Sequence, residues 1–219
     1  RLDRWVLWRY DLRDLEYAKV PYRPDGKQKA ASNRHATWGT YPEALAQCQQ
    51  GGFDGLGFVF SESDGLLGVD LDACRDPETG KLTAHALTVL GRLNGYTEVS
   101  PSGKGVKAFV RAYRPQPRCL FRLEGGPRVE VYHRLRYFAV TGRRLPGFPK
   151  NPPARQREVE ALYAENFLVP RPTPPAEPPR RAIARSAGCG DVYRRAEQYL
   201  AKCPPAVSGS NGHGTTLSI

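Results

Sequence analysis

Two aspartates separated by one residue are the side chains in this sequence best suited to chemistry. Asp70 and Asp72 lie in the stretch LLGVDLDAC at residues 66–74, where apolar and acidic residues alternate. Because strand side chains alternate between faces, both carboxylates are expected on one face, about 7 Å apart, with Val69, Leu71 and Ala73 on the other. Like charges at this spacing raise each other's pKa unless a cation lies between them. Mg²⁺ and Mn²⁺ bind carboxylate oxygens and leave positions open for phosphate, so the pattern indicates a metal site for phosphoryl chemistry, with two solvated acids as the alternative.

Two further features could complete such a site. A tight turn at Ser102, Gly103 and Lys104 joins two predicted strands, and its N–H groups and lysine are suited to binding phosphate. It is not a Walker A loop, because it lacks the leading glycine and the Lys-Ser/Thr pair, and an ordinary hairpin turn is the alternative. Glu130 lies on the polar face of another alternating segment, at 128–132.

Strands must position these residues, since the apolar pattern around them has a period of two. The sequence predicts strands at 5–10, 19–23, 55–60, 66–73, 96–100, 106–110, 128–132 and 136–141. It predicts helices after a cap at or near Thr40, at about 85–93 and at about 154–165. We expect three hairpins, which pair 5–10 with 19–23, 55–60 with 66–73, and 128–132 with 136–141. Residues 111–128 are expected to be irregular, the three tryptophans to lie in the core, and His35 and His133 to lie at the surface.

The composition limits the partners. A formal net charge of +11 over 219 residues favours a polyanionic partner, first of all nucleic acid. The sequence has neither a transmembrane run nor a signal peptide, so no membrane partner is expected. The five cysteines are scattered without a C-x-x-C pair, which argues against zinc and favours a reducing cytoplasm.

Three regions are predicted along the chain: a catalytic domain at 1–168, a Pro/Arg-rich linker at 169–187 and the start of a helical module at 188–219. The sequence opens without a methionine, and we expect it to be a segment of a longer protein.

The order of the motifs resembles the catalytic core of the archaeo-eukaryotic primase superfamily. The similarity is greatest to the primase–polymerase (prim-pol) domains of phage, plasmid and mobile-element replication proteins. It covers about residues 5–150 and is carried by D-x-D at 70–72, S-P-S-G-K-G-V-K at 100–107, V-E-V-Y at 129–132, R-Y-F at 136–138 and T-G at 141–142. The N-terminal segments at 6–10, 19–22 and 36–40 also resemble that family.

The resemblance implies an α+β fold with an RRM-like catalytic sheet, followed by a small C-terminal helical segment. It implies DNA polymerase activity, and possibly primase activity, on a single-stranded DNA template with dNTP or NTP substrates. Asp70, Asp72 and Glu130 would ligate two divalent metals, Mg²⁺ or Mn²⁺, one activating the primer 3′-hydroxyl and the other neutralising the triphosphate. Such domains often precede a helicase module.

The resemblance also assigns nucleotide-binding residues. Ser102, Gly103 and Lys104 would contact the triphosphate. Arg136 would contact template or phosphate, with a structural ion pair as the alternative. Tyr137 would either face the sugar of the incoming nucleotide or pack in the core. The second motif of the family usually ends in a histidine, and that position here holds Lys107, which can bind phosphate only as a point charge.

Two other functions fit the same residues. A metal-dependent nuclease would use three carboxylates and a basic surface, although it has no need of a triphosphate-binding turn. A non-catalytic replication initiator would use the basic fold only to bind DNA.

Overall fold

A computed structural model describes residues 2–13, 15–122, 126 and 128–167. These residues form nine strands and three α-helices, in the order β1 (Trp5–Arg13), β2 (Glu16–Tyr22), α1 (Tyr41–Gln49), β3 (Gly55–Phe60), β4 (Leu66–Leu71), α2 (Ala84–Leu93), β5 (Tyr96–Val99), β6 (Val106–Arg111), β7 (Leu120–Arg122), β8 (Arg128–Tyr132), β9 (Arg136–Val140) and α3 (Gln156–Phe167). The content of helices and antiparallel sheets agrees with the predicted α+β class. The predicted linker at 169–187 and helical module at 188–219 lie outside the described residues.

The strands form two antiparallel sheets. The four-stranded sheet has the order β2-β1-β3-β9, and the five-stranded sheet has the order β5-β6-β4-β8-β7. The predicted hairpin of β1 and β2 is confirmed, with Trp8 opposite Pro21 and Tyr10 opposite Lys19.

The other two predicted hairpins are wrong. Strands β3 and β4 belong to different sheets, and so do β8 and β9. Between β3 and β4 the chain forms a 3₁₀ turn at Glu62–Asp64, and Gly65 follows with a left-handed φ of 60°. The carboxylate of Asp64 accepts hydrogen bonds from Arg4 and from the N–H of Ser61, each at 3.1 Å, so the turn directs the chain into the second sheet. The region 111–128 also contains β7, which alternation did not reveal because the strand is only three residues long.

The outer face of the five-stranded sheet carries the main core. Val69 and Leu71 are fully buried there, against α2 and α3. The predicted alternation therefore holds along β4, but it ends at Leu71. Ala73 is exposed and has a φ of 50°, so it does not continue the buried face.

An aromatic cluster joins the inner faces of the two sheets. Its buried members are Phe58, Phe60, Phe109 and Phe138. Gly68 allows this contact, because a Cβ at that position would lie 2.4 Å from the Phe60 ring and 2.5 Å from the Phe138 ring. The residue two positions further along the same face of β4 is Asp70, so the acidic side chain lies at the border of the cluster.

Two predictions about polar and aromatic residues need correction. The sequence predicts His133 at the surface, yet it is only 7% exposed, and its ring packs edge to face against Tyr113. His35 is exposed, as predicted, and Trp8 is buried, whereas Trp5 and Trp38 are only partly buried. No helix among the described residues has the length and apolar character needed to cross a membrane.

Candidate active site

Four charged residues lie in register across the five-stranded sheet. Asp70 on β4 is opposite Lys107 on β6 and, on its other side, Glu130 on β8. Lys107 is in turn opposite Glu98 on β5. Directly opposed residues share a face, with Cβ atoms about 5 Å apart. The row of Glu98, Lys107, Asp70 and Glu130, called here the charged row, is the chemical centre of the molecule.

Asp70 and Lys107 form the central ion pair of the charged row. The Lys107 ammonium donates a short hydrogen bond to Asp70 Oδ2 and lies 4.4 Å from the centroid of the Phe138 ring. Asp70 Oδ1 is buried and has no hydrogen-bond partner among the described residues. Burial raises the pKa of the Asp70 carboxyl; the ion pair with Lys107 opposes that shift, and the charges of Asp72 and Glu130 add to it.

Glu130 is the second acid of the charged row and is only 6% exposed. One of its oxygens forms an ion pair with Arg128 at 2.7 Å, and the other accepts a charge-assisted hydrogen bond from Arg136 at 3.3 Å. The Arg136 guanidinium also lies 4.9 Å from the centroid of the Tyr132 ring. The carboxylate is therefore neutralised by two cations that themselves reach solvent.

Asp72 is placed differently from the prediction. It is the first residue after β4, it is exposed, and its N–H donates to the Arg128 carbonyl at 3.3 Å. Strand β4 ends between Asp70 and Asp72, yet the hydrogen bond to Arg128 keeps Asp72 alongside β8. The acid beside Asp70 is Glu130, on the neighbouring strand, while Asp72 still contributes its negative charge to the surroundings of Asp70.

The turn at Ser102, Gly103 and Lys104 lies against the end of β4. A Cβ at Gly105 would lie 2.6 Å from the Leu71 carbonyl oxygen, so only glycine allows this approach. The N–H groups of Gly103 and Gly105 donate to the carbonyl and hydroxyl oxygens of Ser100, at 3.0 and 3.2 Å. These N–H groups are thus engaged within the turn, contrary to the expectation that they point outward. The Ser102 hydroxyl is exposed but is also engaged within the turn, since it lies 3.1 Å from the Ser100 hydroxyl and accepts from the Lys104 N–H at 3.4 Å. The exposed Lys104 ammonium remains as a group that can meet a phosphate.

A cleft of about 760 Å³ opens beside the charged row. Its walls include Asp70 and Lys107 from the five-stranded sheet, Lys19 from β2, and Arg136 and Tyr137 from β9. The turn at 102–104 is not part of its lining. The cleft therefore brings together four of the predicted site residues and one residue, Lys19, that the sequence did not single out.

Tyr137 is held in this cleft by two contacts. Its hydroxyl donates to the Lys19 carbonyl at 2.7 Å, which connects β9 to β2 across the four-stranded sheet. A Cβ at Gly57 would lie 2.7 Å from the Tyr137 ring, so the glycine on β3 makes room for the ring. The ring thus has a defined position in the wall of the cleft.

Lys19 and Glu98 are the residues that sequence reasoning missed. Burial in the cleft and the nearby charge of Lys107 lower the pKa of Lys19, whereas Asp70 and Asp72 oppose that shift. Glu98 is fully buried and accepts hydrogen bonds from the N–H groups of Thr141 and Gly142, at 2.8 and 3.1 Å. A single acid within the apolar strand at 96–99 was the available signal for Glu98, whereas nothing local distinguishes Lys19 from the neighbouring basic residues.

The donor set is compatible with a divalent cation at Asp70. The unpartnered, buried Oδ1 of Asp70 is an oxygen that a cation can satisfy, and Asp72 and Glu130 supply further carboxylates nearby. In the described part of the chain, however, no three His, Cys, Asp or Glu side chains converge on one point as a metal-binding group. Asp70 and Glu130 are instead engaged by Lys107, Arg128 and Arg136, so a cation would have to share these acids with the basic residues.

The fold and this cleft define an α+β protein with buried acids and a basic rim. No protein-family model matches the chain. A DNA primase-polymerase of Nitratiruptor phage NrS-1 is 35% identical to it over 143 residues, which are 65% of this chain and 19% of the phage protein. This similarity supports the assignment to the primase–polymerase family that the motifs predicted, and the chain spans about a fifth of the length of this relative.

Proposed function

We propose that residues 1–168 form a prim-pol catalytic domain that carries out template-directed nucleotidyl transfer on single-stranded DNA. The observation that carries this proposal is the register of Asp70 between Lys107 and Glu130, at the edge of a cleft large enough for a nucleotide. The similarity to a phage DNA primase-polymerase supports the same reaction class. An RRM-like primase fold, with the five-stranded sheet as the catalytic sheet, is part of the proposal.

In this proposal Asp70, Asp72 and Glu130 hold two divalent cations, Mg²⁺ or Mn²⁺. Bound cations of this kind neutralise the charge of a triphosphate and lower the pKa of an attacking hydroxyl. The chain supplies Asp70 and Glu130 in a partly buried setting, and Arg128 and Arg136 form ion pairs with Glu130 there.

The remaining predicted residues bind the incoming dNTP or NTP. Lys107 and Arg136 present cations to the cleft, and Tyr137 presents a fixed ring beside which the sugar can lie. Ser102, Gly103 and Lys104 stand next to Asp72, where the turn can receive the outer phosphates. A helicase module downstream of this domain, as the wider family suggests, belongs to the same proposal.

One observation favours the non-catalytic initiator as a second candidate. Asp70 and Glu130 are already paired with Lys107, Arg128 and Arg136, so the charges of these two acids are balanced by the chain alone. A domain that only binds DNA would need no metal ion at these acids, and the ion pairs within the chain would be sufficient.

A primer-extension assay with the chain, a labelled primer on a longer template, dNTPs, and Mg²⁺ or Mn²⁺ separates the candidates. Extension supports the proposed function, shortening of the primer indicates a nuclease, and binding without either indicates an initiator. The variant Asp70→Asn should lose extension and should also bind Mn²⁺ more weakly in a calorimetric titration. Glu160→Gln is the matched control, because this exposed acid lies on α3, which packs against the face of the five-stranded sheet that carries Val69 and Leu71.

A further inference from the structure

A second cavity, of about 620 Å³, opens where β3 begins and β9 ends. Four aromatic side chains contribute to its wall: Trp5, Trp8, Tyr10 and Tyr41. Tyr10 and Tyr41 are 42% and 44% exposed, so both rings meet solvent at the cavity. Large aromatic side chains are rarely left half exposed in such a group without a ligand that covers them.

The rings of this aromatic cavity are held in place. Trp5 and Tyr41 pack edge to face with centroids 4.8 Å apart, and Trp8 and Tyr10 do so at 5.4 Å. Trp8 Nε1 donates to the Leu56 carbonyl at 3.0 Å, which fixes the indole. Tyr41 is the first residue of α1, where Thr40 and Glu43 form a capping box that fixes the helix start. The cavity is therefore preorganised and has no need to form around its ligand.

Two elements lie next to both the aromatic cavity and the catalytic cleft. Strand β9 contributes Arg136 and Tyr137 to the cleft, while Val140 and the following residues 141–143 line the aromatic cavity. Lys19 lines the cleft, and its ammonium lies 5.9 Å from the Trp8 ring centroid and 6.0 Å from that of Tyr10. The two cavities are therefore close enough for one linear ligand to contact both.

The chemistry at the rim suits a nucleic acid. Arg143 and the Lys19 ammonium lie beside the rings, and Arg143 is anchored by donating to the carbonyl oxygens of Ser100 and Pro101. Aromatic rings alternating with cations are the platform on which unpaired bases stack and their phosphates are neutralised. A single Asp54 opposes this charge, and its carboxylate is engaged by the Tyr10 N–H at 2.8 Å.

We propose that the aromatic cavity is a subsite for one unstacked base of single-stranded DNA, on the same strand that occupies the catalytic cleft. The inference rests on the proposed function for the identity of the strand. The subsite is a stacking site remote from the carboxylates. It binds a base through contact with the aromatic rings, and this binding requires neither metal nor nucleotide.

The test measures binding of a fluorescent single-stranded DNA 12-mer to the chain, in EDTA and without nucleotide. Tyr41→Ala and Tyr10→Ala should each weaken binding by roughly tenfold, whereas Tyr41→Phe and Tyr10→Phe should bind nearly as the unaltered chain does. The slope of log affinity against log salt should stay the same in the alanine variants, because no phosphate contact is removed. Tyr17→Ala is the matched control, since this tyrosine is 73% exposed on β2 and does not line the cavity.

An abasic scan identifies the base. Removing one particular base from the 12-mer should weaken binding to the unaltered chain but have no further effect on Tyr41→Ala, because both changes delete the same contact. Equal losses for Tyr41→Ala and Tyr41→Phe, a loss of the same size for Tyr17→Ala, or an abasic penalty that adds fully to that of Tyr41→Ala would each overturn the subsite. Since the assay needs no catalysis, absence of primer extension would count against the proposed function and not against this subsite.

Discussion

Asp70 and Lys107 face each other across β4 and β6, and the lysine ammonium donates to one oxygen of the aspartate while the other oxygen has no partner among the described residues. One oxygen of the Asp70 carboxylate thus pairs with a cation of the chain itself. The other oxygen is available to an added cation. The two roles can be separated by substitution, because one oxygen serves each.

The first prediction concerns Asp70 alone. Asp70→Asn preserves size and a hydrogen-bond acceptor for Lys107 but removes the charge that a divalent cation requires. Primer extension should fall about a hundredfold or more, whereas affinity for single-stranded DNA should change little. Extension rates and fluorescence anisotropy measure the two effects. Extension at the rate of the unaltered chain would remove Asp70 from the proposed metal site.

A double-substitution cycle tests the ion pair. Lys107→Met leaves the Asp70 carboxylate partly buried without its cation, and the free energy of unfolding should fall by about 1–3 kcal/mol. Adding Asp70→Asn should restore most of that loss, because no unpaired charge remains. The urea midpoint measures stability, and the nucleotide KM of Lys107→Met should rise about tenfold if the ammonium also contacts phosphate. If the double variant loses as much stability as the two single variants together, the two residues do not stabilise the fold through each other.

Tyr137 allows a test of sugar selection. Its ring is fixed by the hydrogen bond to the Lys19 carbonyl and by the space above Gly57. Tyr137→Ala removes the ring and should change the ratio of dNTP to rNTP incorporation, and Tyr137→Phe should change it less, because the ring remains. Competition assays on a primed template give the ratio. Tyr113→Ala, which removes an exposed tyrosine outside the cleft, serves as the control, and an unchanged ratio in Tyr137→Ala would contradict the assignment.

His133 should make stability depend on pH. Burial lowers its pKa below the ordinary value of about 6.5, and the charges of Arg114 and Arg134 add to that shift. The unfolded chain therefore takes up a proton at a higher pH than the folded chain. The stability that the neutral ring contributes is complete above about pH 6.5, and it is lost as the pH falls through the pKa of His133 in the folded chain. The melting temperature should drop by a few degrees more between pH 7.5 and pH 5 in the unaltered chain than in His133→Phe. His85→Asn, which alters an exposed histidine on α2, should leave that drop as it is, and an identical drop in His133→Phe would contradict the prediction.

The sequence by itself determined the local elements and the faces of the strands. Alternation placed Val69 and Leu71 inside and Asp70 on the opposite face of β4, and it placed Glu130 on the corresponding face of β8. The start of α1 was also readable, since Thr40 caps this helix through a hydrogen bond that spans three residues. These features depend on contacts within a few residues, and the types of those residues are sufficient to specify them.

Only the tertiary structure decided which strands are neighbours. Asp70 meets Lys107 and Glu130 because β4 lies between β6 and β8. These residues are 37 and 60 positions from Asp70 in the sequence, too far for local rules to predict the strand order. The predicted hairpins of β3 with β4 and of β8 with β9 failed for the same reason: a short turn permits pairing, but the Asp64 turn and the left-handed Leu135 send the chain into the other sheet. Lys19 enters the cleft only because β2 and β9 are joined through β1 and β3 in one sheet. Strand order and register are fixed by hydrogen bonds and packing between distant segments, and this is the physical reason why the site could be named in part from the sequence but assembled only in the fold.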